Sequence, residues 1–442
     1  MEGRDEQARK SAEAVTRRSY GKLVAFLAAR TRDVAGAEDA LSDALAAALA
    51  DWPSSGIPES PEAWLVAVAR RKLIDAGRRQ RSRVEAADHL RLLAEELEDM
   101  AASRRQIPDD RLSLMFACAH PAIDPAVRAP LILQTILGFD AATIASAFLL
   151  SPSAMAQRLV RAKVKIHDAG VPFSIPEPGN LRDRLEAVLD AIYTAFSEGW
   201  SDPAGTEIRR RDLGEEGIWL GRLVGSLLPD EPEGLGLLAL MLYAEARRPA
   251  RRNTHGQYVP LAEQDPSLWS SELIEEAEAL LQRASGMGAT GRYQLEAAVQ
   301  SAHVVRRLTG RADWTAIERI YDALLALTGS PVVAINRAIA VAETSGAAAG
   351  LAALASWETD ARLAQYQPYW AARAGLLARL GNVDAAEQAY QMAIGLEADP
   401  AVRHFLQQRR GELRAETIQG AELTRRRDLR RRRRRSVRAQ GG

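Results

Sequence analysis

Seven basic side chains fall within residues 70–83: Arg70, Arg71, Lys72, Arg78, Arg79, Arg81 and Arg83, opposed only by Asp75. A second set, Arg158, Arg161, Lys163 and Lys165, occupies residues 158–165 with no acid among them. Clusters of this kind neutralise phosphates; as solvated helix faces they would bind nothing. Beside the second set stand Ser153, Ala154 and Gln157. Gln and Arg carry the donors that reach base edges in a DNA major groove, while Lys reaches phosphates. Beside the first set stand Trp52 and Trp64. A ring among basic residues can receive an unstacked base. The competing use of a helix tryptophan is core packing, which suits Trp64 better than Trp52, because Trp52 opens the Pro/Gly/Ser-punctuated stretch 52–61.

Other chemistries lack their residues. Cys118 and His120 form a C-x-H pair, but Cys118 is the single cysteine among six scattered histidines, so neither a disulfide nor a four-ligand zinc site is expected. Both read as buried helix residues. No P-loop lysine motif, nucleophile elbow or H-E-x-x-H sequence occurs, and no carboxylate pairing suits acid–base work. Catalysis, a cofactor and a resident metal are not expected.

The elements that must position these side chains are helical throughout, since apolar residues recur at three- and four-residue spacing and period-two alternation is never sustained. The expected fold class is all-α. No apolar run reaches 18 residues, and the charged start MEGRDEQARK has no apolar stretch behind it. Neither a membrane span nor a signal peptide is therefore expected, and a cytoplasmic address follows. The chain of 442 residues is formally neutral, with 58 basic and 58 acidic side chains. The balance is uneven: residues 171–423 carry 34 acids against 24 bases, and residues 424–438 carry ten Arg and one Asp.

Punctuation divides the chain. A first block covers 12–83, a charged connector 84–108, and a second block 109–170. Three prolines within 171–179 mark a linker at 171–180, a large third block covers 181–413, and the Arg-rich remainder 414–442 should be disordered. In the second block, Asp140 caps a short helix Ala141–Phe148. Ser151 caps another with Pro152 at its first position. Met155, Leu159, Ala162 and Ile166 would face inward, leaving Ala154, Gln157, Arg158, Arg161 and Lys165 outward. Two short helices, the second basic on its outer face, have the helix-turn-helix pattern. In the first block, helix Ala35–Asp51 begins with Glu38, Asp39 and Asp43, acids that suit the helix dipole or dock a basic partner. Helix Pro61–Arg79 would set Trp64, Ala67 and Val68 on one face.

Together these blocks resemble a bacterial extracytoplasmic-function sigma factor of RNA polymerase. Residues 12–83 are similar to its region two: Ala37-Glu38-Asp39-Ala40-Leu41-Ser42-Asp43 parallels A-E-D-x-x-Q-E, and Trp64–Arg79 parallels W-L-x-x-I-A-R-N-x-x-I-D-x-x-R-R. Residues 109–170 are similar to region four, where Arg158-Leu-Val-Arg-Ala-Lys163 parallels R-L-x-R-A-[RK]. Ser42, Arg71 and Ala156 depart from the family's usual Gln, Asn and basic residue. The resemblance implies core RNA polymerase (β′ clamp and β flap) and promoter DNA as partners. Asp39, Ser42 and Asp43 would touch the β′ clamp. Trp52, Trp64, Arg70, Arg71, Lys72, Arg78 and Arg79 would open and read the −10 element. Ser153, Ala154, Gln157, Arg158, Arg161, Lys163 and Lys165 would bind the −35 element.

The third block resembles the fused TPR-like domain of one sigma-factor subgroup, through Leu227–Met241, Ala246-Arg-Arg-Pro-Ala-Arg251 and Gln294–Ala298. Repeats of about 34 residues mark such arrays. Residues 367–400 fit best, with Ala374, Ala386, Ala393, Gly381 and Tyr390 in place, and 303–330 and 334–360 fit more loosely. Such a block would bind a regulatory protein or brace the other domains. The alternative reading of the whole chain is a one-component helix-turn-helix regulator with a TPR-like sensor.

Overall fold

The computed structural model describes residues 2–80, 109–148, 150–200 and 208–415. The connector 84–108, Arg81, Arg83, the side chains of Arg78 and Arg79, and residues 416–442 lie outside the described set. The fold is all-α. Among the described residues the only extended pairing is an isolated bridge between Arg252 and Tyr258. No described helix is long and apolar enough to cross a membrane. The described chain forms two compact units, 2–200 with 208–227, and 228–415.

The first unit is built around α1 (Glu2–Thr31), which begins about ten residues ahead of the expected block. Leu23 through Ala28 are all buried, so this turn and a half of helix is enclosed on every side. Around it pack α2 (Val34–Ser55), α3 (Pro61–Gln80), α4 (Arg111–Cys118) and α5 (Pro125–Leu137). Asp33 caps α2 by accepting from the Gly36 N–H at 2.9 Å. Between α1 and α5 the backbones nearly touch: a Cβ on Gly21 would lie 2.1 Å from the Ile136 carbonyl oxygen. The α5 helix stops at Gly138, whose φ of 73° is the left-handed conformation that glycine adopts without strain. Then come α6 (Ala141–Ala147) and α7 (Pro152–Asp168).

The proline-rich 171–180 does not end this unit. Helix α8 (Pro178–Trp200) packs on α4 and α5, and α9 (Ile208–Leu227) packs on α8. Leu185, Val188, Leu189, Ile192 and Val224 are buried there, and the Arg184 guanidinium donates to the Phe116 carbonyl at 2.7 Å. The expected division at 171–180 therefore moves to the end of α9. The amphipathic face of α8 is apolar enough to require a partner, and α5 supplies it.

In the second unit α10 (Pro232–Ala246) is buried nearly all round, against α11 (Ser271–Ser285) and α12 (Arg292–Val304). After the short α13 (Arg306–Thr309), helices pack consecutively as α14 (Trp314–Thr328), α15 (Pro331–Ser345) and α16 (Ala347–Ala355). The pair α17 (Gln367–Arg379) and α18 (Val383–Leu396) follows. In that pair Ala374, Ala386, Ala393 and Tyr390 form the interface, and Gly381 turns the chain at φ 73°. Helix α19, described over 400–415, caps it with Leu406 and Leu413, so residues 414 and 415 of the expected tail are helical.

Candidate functional site

Two faces of the first unit carry the side chains singled out above. On α7, Ser151 accepts from the Ala154 N–H at 3.2 Å, which starts the helix where Pro152 needs no donor. Met155, Leu159, Ala162 and Ile166 are its buried residues, as the spacing predicts. Ser153, Gln157, Arg158, Arg161 and Lys165 are exposed, and Ala154 is half-buried. The Arg161 Nη2 donates to Gln157 Oε1 at 3.3 Å, one helical turn away, which holds the guanidinium along the exposed face.

Lys163 is a correction to this set. Its ammonium is ion-paired to Glu38 on α2, with about 10% of each side chain exposed, so it is not free for phosphate. Glu38 in turn is not part of an open acidic face. Burial pushes its carboxyl above the ordinary range, with Lys163 acting in the opposite sense. The pair bolts α7 to α2 across 125 residues of chain. The sequence reading also passed over Val160 and Val164, which are 60% and 51% exposed on the same outer side. Their i, i+4 spacing opposite the buried set was the available signal. Exposed methyl groups between basic side chains suit contact with thymine methyls.

On α2, Asp39, Ser42 and Asp43 are exposed. Asp43 lies 3.5 Å from Lys72 Nζ of α3, an exposed ion pair that contributes little to stability but links the acidic helix to the basic one. On α3, Arg71 and Lys72 are exposed, Arg70 is half-buried, and Leu65, Val66 and Ala69 form the inner face. Of the residues that the spacing sets on one face, Trp64 and Val68 are half-buried and Ala67 is exposed.

The two tryptophans exchange roles. Helix α2 continues past Asp51 through Trp52 and Pro53 to Ser55, closed by the Gly56 N–H donating to the Trp52 carbonyl at 3.0 Å. Trp52 is thereby folded inward, 2% exposed, with its ring 5.6 Å from that of Trp64 in an edge-on contact. An enclosed ring offers no face to a base. Trp64 is half-buried and keeps part of its surface outside.

Cys118 is fully buried and His120 is half-buried on the following turn, so one of the pair departs from the expectation. The Thr135 hydroxyl donates to the Leu131 carbonyl at 2.8 Å, leaving the Cys118 thiol to donate to Thr135 Oγ1 at 3.5 Å. Burial pushes that thiol up to about 12. Among the described residues no group of three His, Cys, Asp or Glu side chains could hold a metal ion.

With this geometry in view, residues 16–83 match the family described as Sigma-70 region 2. Residues 184–285 match a family of unknown function, DUF6596, which spans the end of the first unit and the start of the second. The chain is 38% identical over 391 residues to a Rhizobium meliloti (strain 1021) protein named "Uncharacterized protein R00370", covering 87% of this chain and 92% of that one. No solved structure matches.

Proposed function

We propose that the chain is a sigma factor of the sigma-70 family, of the extracytoplasmic-function type, which binds RNA polymerase and directs transcription initiation; the match of residues 16–83 to Sigma-70 region 2 supports this reading. In this reading α1 to α3 engage the polymerase and the −10 element. Asp39, Ser42 and Asp43 meet the β′ clamp, while Arg70, Arg71, Lys72, Arg78, Arg79 and Trp64 face melted DNA. Helices α6 and α7 act as a helix-turn-helix on the −35 element, through Ser153, Gln157, Arg158, Arg161 and Lys165, with Val160 and Val164 beside them. The polymerase performs the chemistry. The second unit tunes it by binding a regulatory protein along its stacked helices.

The single observation that carries this reading is the coexistence, in one unit, of a sigma-70 region 2 and a second helical bundle with an exposed Gln/Arg face. Run-off transcription with purified core polymerase tests it. Start-site-specific transcripts are expected from the full chain or from a chain ending at Leu227. A higher yield from the shorter chain would identify the second unit as inhibitory. Arg161→Ala should lower promoter-specific transcript about tenfold, the effect of losing one good base contact, while leaving polymerase capture unchanged. No transcript from either length would sink the sigma reading.

A further inference from the structure

The segment Ala246-Arg-Arg-Pro-Ala-Arg251 stands out in the sequence and has no role in the reading above. Residues 228–415 hold 18 arginines against 22 acids, and six of those arginines, at 247, 248, 251, 252, 306 and 307, fall in two short stretches. The fold brings the stretches to one junction. A 3-10 turn at Arg248–Arg251 leaves the end of α10, and the Val259 N–H returns to the Arg251 carbonyl at 2.8 Å. Arg306, just past α12, donates to the Leu261 carbonyl at 2.7 Å and lies over the Trp269 ring.

Among the described residues, acids near the junction are already engaged, and Asp399 also faces Arg251. Glu245 pairs with Arg248 at 2.8 Å, Asp399 pairs with Arg252 at 2.9 Å, and Glu278 accepts from the Ser301 hydroxyl at 2.7 Å. Among the described residues Arg247 is left with neutral oxygens: Nη2 donates to Gln300 Oε1 at 2.6 Å and Nε to the Tyr243 carbonyl at 3.3 Å. Burial, then the neighbouring Arg251, push its guanidinium down to about 10. His303 is held down to about 4 by burial and then by Arg247 and Arg306, so it is neutral near pH 7 and adds no counter-charge. A half-buried guanidinium with no anion beside it among the described residues carries a desolvation cost that an apolar side chain in the same space would not. The guanidinium fork is also the side-chain group that matches a planar or tetrahedral oxyanion.

We propose that this junction binds an oxyanion, the carboxylate or phosphate group of a small metabolite, through Arg247 and Arg251, with Gln300 orienting the fork and Tyr258 and Tyr321 beside it. Arg247 and Arg251 are half-buried, so both remain reachable from solvent. The proposal does not depend on polymerase binding, and its test reads binding alone.

The test is thermal unfolding of the full chain, titrated separately with sodium phosphate and sodium succinate at constant ionic strength. A saturable rise in Tm is expected with at least one of them. Response to phosphate alone assigns the phosphate class, to succinate alone the carboxylate class, and to both an oxyanion site without preference. In Arg247→Met the half-saturating concentration should rise at least about tenfold, the effect of losing a charge-assisted hydrogen bond. The Tm in anion-free buffer should not fall, because an uncompensated charge has been removed; a merely structural arginine predicts the opposite. Should Arg247→Met not fold, Arg251→Met carries the same titration. No saturable response, or an equal response in the folded variant, overturns the proposal.

Discussion

Gly21→Ala should destabilise the first unit by about 3 kcal/mol, against the ordinary preference of a helix for alanine. Inside a free-standing helix that change gains about 1 kcal/mol. Here the added methyl would stand 2.1 Å from the Ile136 carbonyl oxygen and 2.8 Å from its carbonyl carbon. The obstacle is backbone, so no rotamer change relieves it; α1 and α5 must separate. Tyr20 packs against Gly138 beside this contact, and its ring moves with the shift. Urea unfolding followed by circular dichroism measures the effect. A midpoint equal to or above that of the parent chain would mean that the two backbones do not lie this close.

Lys163→Met should cost about 3–5 kcal/mol, the usual result of leaving one member of a buried ion pair alone. The loss should also depend on pH in a defined sense. Glu38 already sits above the ordinary carboxylate range because of burial, with Lys163 holding it back. A carboxyl whose folded value exceeds its unfolded value binds more protons folded than unfolded between the two. Stability therefore falls as pH rises through that window, and levels off below it. Removing Lys163 lifts the folded value further and widens the window. The gap between variant and parent should be smallest in acid, below the unfolded value, and grow towards neutral pH. Adding Glu38→Gln to the variant should recover much of the loss, because an amide needs no counter-ion. A gap that does not change with pH would refute the assignment.

These two contacts show where sequence reasoning stops. The inward set of α7, the caps at Asp140 and Ser151, and the turn glycines at 138 and 381 were legible because each depends on residues within a few positions. The α17–α18 pair was legible for the same reason, its small residues recurring at one interface. The partnership of Glu38 with Lys163 was not, since nothing local to either residue names the other. The acid therefore read as a solvent-facing charge, and the lysine as a phosphate ligand. Trp52 misled because Pro53 suggested that the helix had ended. A proline in the last turn removes one backbone donor, and α2 continues through it. The proline run at 171–179 misled in the opposite direction: it describes the stiffness of a segment, while the boundary follows from which core α8 completes.

Cys118 gives this molecule a built-in clock. It is the single cysteine, fully enclosed between α4 and α5, with its proton held on sulfur at neutral pH. An alkylating reagent reacts with exposed thiolate, so it can reach this sulfur only when the surrounding helices part. Under native conditions its labelling rate therefore counts openings of the first unit. The same thiol should report the loosened α1–α5 contact in Gly21→Ala and the unpinned α7 in Lys163→Met as faster labelling, without denaturant and without an introduced probe.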